Sequence, residues 1–411
     1  MKRNSEKDNI RQVNTATVLD ALRRNDDKIS RPDLAEQVGL SKVTIASIIR
    51  TLNQMGLTSN AGLGRPDQRG GRKPLLVSLD KENKRLISIR LGRQTAEMLL
   101  SDITGRELSR LRAALDENQA GPDHRSAKPT PEQLAAMVRQ LSLQGGASME
   151  SLIGIMITGD EVVDSDDDGG PNEPVSRAAP EDRQSAGGRP DDTSVLTADL
   201  SRALNLPVRP VGLAKARAFG EHWFNDEYEQ PLDFFYLNLD YRLDAEIYRG
   251  GQPGGSLPGF GALCLSHRPF GSENTIADTA ESLLSGAAFL KKAEEKLGRP
   301  TSFSELLTLA DNDEQTVLTL FEHYGYQLGC TLALAVNLSS LTRIIVGGAM
   351  SGGWPFFSRA LFQGLDRHLH QRYQGQVSVS LLRKDLEDGL MGALALALDK
   401  WIYHTSLLPR D

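Results

Sequence analysis

The apolar positions of the first 55 residues fall into three stripes: Val18, Leu19 and Leu22, then Leu34, Ala35 and Val38, then Ile45, Ile48, Ile49 and Leu52. Each stripe repeats at the three- and four-residue steps of one helix face. The pattern therefore predicts three short helices between Ile10 and Met55 that share a core. Gly39, within Val38-Gly39-Leu40, permits the left-handed backbone of a tight helix end. Ser30 and Ser41 stand where the second and third helices begin, placed to cap their first-turn amides. The third helix then turns Lys42, Thr44, Ser47 and Arg50 away from its Ile/Leu stripe.

Two short apolar segments follow, flanking the stretch from Ala61 to Pro74, which holds Arg65, Arg69, Arg72 and Lys73 among its glycines. Glycine lets backbone approach a surface closely, and the clustered cations suit phosphate or the minor groove. Helices and loop together read as a winged helix-turn-helix over residues 1–80, which points to double-stranded DNA as a partner. In that reading Lys42, Thr44 and Ser47 reach base edges from a helix begun by Ser41, and Arg50 meets a phosphate. Arg65, Arg72 and Lys73 serve the wing, with Arg72 entering the minor groove where A·T tracts narrow it. The plainer alternative is a small helical bundle with a solvated face and a flexible hairpin tip.

From residue 84 the pattern changes to short alternating strands, at Leu86 to Gly92, Ala96 to Ser101 and Glu107 to Leu111, with a turn at Thr104-Gly105. A helix from Pro131 to Leu143 and a buried strand from Leu152 to Thr158 come next. Further on, strands at Phe234 to Leu239 and Ile344 to Gly347 bracket a long helix, Glu314 to Asn337. Such alternation predicts an α/β region. Residues 115–130 and 159–193, rich in Pro, Gly, Ala and polar residues, read as connections. Asp164-Ser165-Asp166-Asp167-Asp168-Gly169 imitates the start of a calcium loop. The bidentate Glu such a loop needs at its twelfth position is Val175, so the segment reads as a solvated acidic loop.

Charge sharpens the division. Residues 1–80 carry 14 Lys and Arg against 9 Asp and Glu, a net of +5, which leaves −12 on the remainder of a chain whose net charge is −7. Nucleic acid is thus expected to meet the basic head and not the acidic body. At 411 residues there is ample chain beyond the head for a bilobed domain. No apolar run approaches the roughly 18 residues that span a bilayer, and the start, Met1-Lys2-Arg3-Asn4-Ser5-Glu6-Lys7, has no apolar signal segment, so the cytoplasm is the expected location. Cys264 and Cys330 are too few for a cysteine-only zinc site.

The chain resembles the ROK proteins (repressors, open reading frames and sugar kinases), in particular the branch with an N-terminal winged helix. The resemblance is carried in the head by residues 14–19, 30–35, 39–44 and Gly71-Arg72-Lys73-Pro74. In the body it rests on Gly105, Leu206-Pro207-Val208, Gly220-Glu221, the stretch Ile345 to Ser351 and Gly389 to Leu394. It implies an actin-like (sugar kinase/hsp70/actin) body over residues 84–411. Lobe 1 is expected at about 84–210 and lobe 2 at about 211–411, with a C-terminal helix returning to lobe 1.

Departures from that family bear on function. Where its kinases have Asp-x-Gly-Gly-Thr for phosphate, this chain has Arg90-Leu91-Gly92-Arg93-Gln94. The family's catalytic Asp corresponds to Leu213, which cannot accept a proton. Its zinc-binding His and three Cys reduce here to Cys264 and a displaced His267, so no zinc or other cofactor is expected. The usual sugar-contacting Glu and His become Phe260 and Leu263, whereas a later Glu is retained as Glu281, which can bind a hydroxyl or amine of an effector or simply cap a helix. Gly347 and Gly348 resemble an adenosine-side turn but suit any tight strand-to-helix turn. The implied function is a transcription regulator, in the sense of a repressor, that binds a palindromic operator as a homodimer or tetramer and senses a small, carbohydrate-like effector. The alternatives are a DNA-binding sugar kinase and a ligand-independent DNA-binding protein.

Overall fold

The computed structural model describes residues 2–25, 28–64, 74–92, 95–115, 129–159, 162, 192–224, 232–250, 252–256, 260–261 and 279–403. Helix α1 (Lys2–Arg24) starts eight residues before Ile10, because residues 2–9 contain no apolar side chain that could mark a buried face. Its second half buries Val18, Leu19, Ala21 and Leu22 against α2 (Arg31–Val38) and α3 (Lys42–Gln54). Strands β1 (Ile29–Ser30), β2 (Thr58–Leu63) and β3 (Leu75–Leu79) form a small antiparallel sheet in the order β1-β3-β2. Three helices with a trailing hairpin are the winged helix-turn-helix that the stripes and the basic loop predict.

A second sheet follows the head. Strands β4 (Arg85–Leu91), β5 (Thr95–Asp102) and β6 (Glu107–Ala114) make an antiparallel meander, turned between β5 and β6 at Gly105, whose φ is 87°. Strand β7 (Leu152–Gly159) runs parallel to β4, and β8 (Val208–Pro210) parallel to β7, giving the order β6-β5-β4-β7-β8. Helices α4 (Pro131–Gln144) and α5 (Asp192–Leu204) follow β6 and β7 in the chain. One sheet face, with Ile87, Ile89, Met98, Leu100, Ile155 and Ile157, buries against their Leu134, Val138, Leu141 and Leu200.

The remainder repeats this plan. Helix α6 (Leu213–Trp223) leads into a meander of β9 (Phe234–Leu239), β10 (Leu243–Arg249) and β11 (Gln252–Ser256). Four helices come next, α7 (Ala280–Leu284), α8 (Gly286–Leu297), α9 (Phe303–Asp311) and α10 (Gln315–Ser339). Then β12 (Arg343–Gly347), α11 (Trp354–His368), β13 (Ser378–Leu381) and α12 (Leu390–Leu398) complete the order, α12 running into one π turn, Asp399–Tyr403. β12 lies parallel to both β9 and β13, and the sheet order is β11-β10-β9-β12-β13. Both sheets are thus a three-stranded meander extended by two parallel strands, the two-lobed α/β plan of the actin-like fold.

Contacts divide the chain into two compact units, Met1–Gly212 with Ala393–Asp411, and Leu213–Gly392. The first unit is discontinuous. Trp401 lies against the second face of its sheet at Gly154, where a β-carbon would stand 2.8 Å from the indole, so only glycine admits the ring. Among the described residues no helix is long and apolar enough to cross a membrane.

Within the second unit α10 and α11 pack with their backbones almost in contact. A methyl group at Gly325, Gly329 or Gly364 would overlap the carbonyl oxygens of Phe357, Leu361 and Tyr326 respectively. Backbone yields poorly in a close-packed interior. Gly329→Ala is therefore expected to destabilise the protein by about 1–3 kcal/mol, whereas Gly352→Ala, whose new β-carbon would have no neighbour nearer than 3.6 Å, should change stability by less than about 0.5 kcal/mol. Urea unfolding of the two variants gives the comparison, and equal midpoints would show that the helix pair can spread.

Candidate nucleic-acid interface

The orientation of α3 follows from its ends and its stripe. Ser30 caps α2, its Oγ accepting from the Asp33 amide at 3.3 Å. Gly39 ends that helix at φ 68°, and the Leu40 amide donates to the Ala35 carbonyl at 3.1 Å. Ser41 then caps α3, accepting from the Thr44 amide at 3.1 Å. Ile45, Ile48, Ile49 and Leu52 are buried, which fixes the helix rotation and leaves Lys42, Val43, Ser47, Arg50 and Gln54 exposed. Residues 43, 47, 50 and 54 follow one another at four- and three-residue steps, forming a single outward stripe opposite the core.

Thr44 beside that face is half-buried, and its hydroxyl lies 2.8 Å from the Ser41 Oγ. Ser41 spends its side chain on the helix start. Val43 is what the sequence reading omitted. It is 81% exposed, and an apolar residue off the Ile/Leu stripe is the signal that could have drawn attention to it. Across the wing, β2 and β3 are held together up to the Gly64 amide, which donates to the Pro74 carbonyl at 2.8 Å. Arg65, Arg72 and Lys73 lie outside the described residues.

Helix α1 packs on the C-terminal π turn of the same unit. Tyr403 in that turn is buried. Burial pushes its phenol well above the usual tyrosine range. Arg23 of α1 opposes the rise, and Asp20 of α1, Asp102 of β5 and Asp399 add to it. The head is thereby joined to the lobe-1 sheet through a segment from the far end of the chain.

In the second unit, Leu213 at the start of α6 is buried, as is Phe260, which packs in the hydrophobic core. Neither offers a polar atom. Arg217 of α6 donates to Asn238 and to Asp240 at the end of β9, and its Nε donates to the Glu387 carbonyl at 2.8 Å. Burial alone would raise the Asp240 carboxyl. Arg217, the Ala349 amide at 2.7 Å and Asn238 outweigh it and hold the group below the ordinary aspartate range. Sequence reading did not pair Arg217 with Asp240, since 23 residues separate them and no periodicity links them. The nearby Gly348 adopts φ 99° against the Leu239 backbone, the conformation that the strand-to-helix turn demands.

Glu281 is the carboxylate singled out for effector binding. Its Oε2 accepts from the Leu243 amide at 2.9 Å, so it ties α7 to β10, and the helix cap is Thr279 instead. Burial raises its pKa, with the Leu243 hydrogen bond and Arg242 opposing and Asp244 adding; Asp244 is itself raised, by burial first. Cys264 and His267 lie outside the described residues, among which no group of three or more His, Cys, Asp or Glu could hold a metal ion. A carboxyl raised on folding binds its proton more tightly in the folded state. Its stabilising contribution is full below the ordinary glutamate value and is lost as pH rises through the folded value. Glu281→Gln retains an oxygen for the Leu243 amide without the buried charge. The variant is expected to lose less stability than the parent between pH 4 and pH 7, as measured by urea midpoints; a steeper loss would mean that the ionised carboxylate has a favourable partner.

Comparison with known proteins places this geometry. Residues 277–400 match the ROK family. The chain is 23% identical to the xylose repressor of Bacillus subtilis (strain 168) over 358 residues, 84% of each chain. Among solved structures, a ROK family transcriptional regulator described as a homolog of the E. coli MLC protein superimposes with a TM-score of 0.72 at 17% identity, covering 97% of this chain and 99% of the other. The ROK hexokinase of Thermus thermophilus superimposes with a TM-score of 0.54 at 20% identity, over 75% of this chain and 96% of its own. The regulator's match extends over the winged head, whereas three quarters of this chain suffice for the kinase. The chain is thus similar to ROK proteins over most of its length, and the ROK family's own match lies over residues 277–400.

Proposed function

We propose that the protein is a DNA-binding transcriptional repressor that holds a palindromic operator as a dimer. The observation that carries this reading is α3, whose buried Ile/Leu stripe turns Lys42, Ser47 and Arg50 outward from a capped helix. A helix so presented fits the major groove, and two copies about a two-fold axis would read half-sites one or two helical turns apart. Lys42 and Ser47 are assigned to base edges and Arg50 to phosphate. Arg65, Arg72 and Lys73 are assigned to the wing, with Arg72 in a narrowed minor groove. The xylose repressor's name adds support to a repressor and to a polyhydroxylated small molecule as effector, for which Glu281 supplies an acceptor. An effector preferring one arrangement of the body would alter DNA affinity by its difference in affinity for the two states.

Phosphoryl transfer forms no part of the proposal. The resemblance puts Leu213 where the family's kinases have their base and Phe260 where one sugar-binding carboxylate would be, and both are buried. These residues do not fit a bound sugar and ATP, and no catalytic step is derived through them.

Selection of genomic fragments by the full-length protein should enrich one palindromic motif. Arg50→Ala is expected to weaken binding alike on all sequences and, with one Arg50 at each half-site, to lower the slope of log K against log salt by about 2; an unchanged slope would remove Arg50 from the phosphate contacts. Arg72→Ala should weaken operators with A·T-rich flanks more than those with G·C-rich flanks, and equal losses on both would defeat that assignment.

A further inference from the structure

We infer that Val43 reads the C5-methyl group of a thymine, making it a specificity-determining residue of the interface; this rests on the proposed DNA-binding role of α3. Val43 is the most exposed of the large hydrophobic side chains in the described structure, at 81%, on a helix whose remaining Ile and Leu residues are buried. Local physics does not favour it there. A β-branched residue is a weaker helix former than alanine or lysine, and its methyl groups gain nothing from water. Its place in α3 is equally specific: second after the Ser41 cap, in the turn that enters a major groove first, and in line with Ser47 and Arg50 on the outward stripe.

The neighbours of Val43 confine what it can meet. Lys42 on one side is exposed and cationic, suited to a base acceptor or phosphate. Thr44 on the other is half-buried and shares a 2.8 Å hydrogen bond with the Ser41 Oγ, which leaves Val43 the more exposed of the two. The base-facing surface there is consequently an aliphatic patch beside a charge. In the major groove the thymine methyl is the one apolar group that a base edge presents, and burying it against Val43 removes both from water.

The test uses the motif enriched by the full-length protein. Each thymine of a half-site is replaced in turn by uracil, which deletes only the methyl, and affinities are measured for the parent and for Val43→Ala. One uracil position should weaken the parent about fourfold per half-site, and about 15-fold when both half-sites carry it. Val43→Ala should bind the thymine and uracil versions equally, at the level of the parent on uracil DNA. Its thermal midpoint should match the parent's, since the side chain is exposed. If no uracil position affects the parent, or if the same position costs the parent and Val43→Ala equally, Val43 does not read a methyl, while the DNA-binding reading stands on the motif itself. Failure to enrich any motif overturns both.

Discussion

Helix α1 of the head owes its attachment to packing by the other end of the chain. Residues 399–403 lie against α1 of the head, and Trp401 among them covers the lobe-1 sheet at Gly154. The three helices of the head are held to one another by short-range contacts between apolar stripes. Nothing in those stripes ties the head to the body. The π turn does so, with Tyr403 buried where charges from Asp20 and Arg23 of α1 and Asp102 of β5 all reach it. A displacement of the C-terminal segment over the sheet would therefore bear directly on the helix beside which α3 packs.

What could be read from sequence tracks how local the determining interactions are. The stripes of α1 to α3, the caps at Ser30 and Ser41 and the turn at Gly39 are decided within a few residues, and each lies where the pattern puts it. The same holds for the meander from β4 to β6, for β9 and for the length of α10. The start of α1 was not legible, because residues 2–9 are all polar. Nor was the close approach of α10 to α11, since it depends on Gly325, Gly329 and Gly364 meeting backbone far away in sequence. On the interface, the outward placement of Lys42, Ser47 and Arg50 follows from the stripe alone. The 2.8 Å contact of Thr44 with Ser41 does not, because it depends on the rotamers of two hydroxyls.

The body shows how a binding fold can persist while its chemistry is altered. Both sheets keep the order of a meander plus two parallel strands, a plan set by main-chain pairing that tolerates many side chains. At positions where the resemblance implies polar chemistry, Leu213 and Phe260 have instead become part of the packing. Polar interactions are concentrated elsewhere, in the contacts of Arg217 with Asn238 and Asp240 and in the Glu281 link from α7 to β10. Such links hold neighbouring elements of the second unit in one arrangement.

The discontinuous first unit also sets an order of events during synthesis. Its sheet and the winged head are made first, yet the segment that fills the second face of the sheet comes only after all of Leu213–Gly392 has been translated. Until then Gly154 faces no indole and α1 lacks its support, so a nascent head emerging from the ribosome cannot take up its final attachment. Attachment of the head through this segment therefore follows synthesis of the intervening unit, an order that a head tethered by a simple linker would not impose.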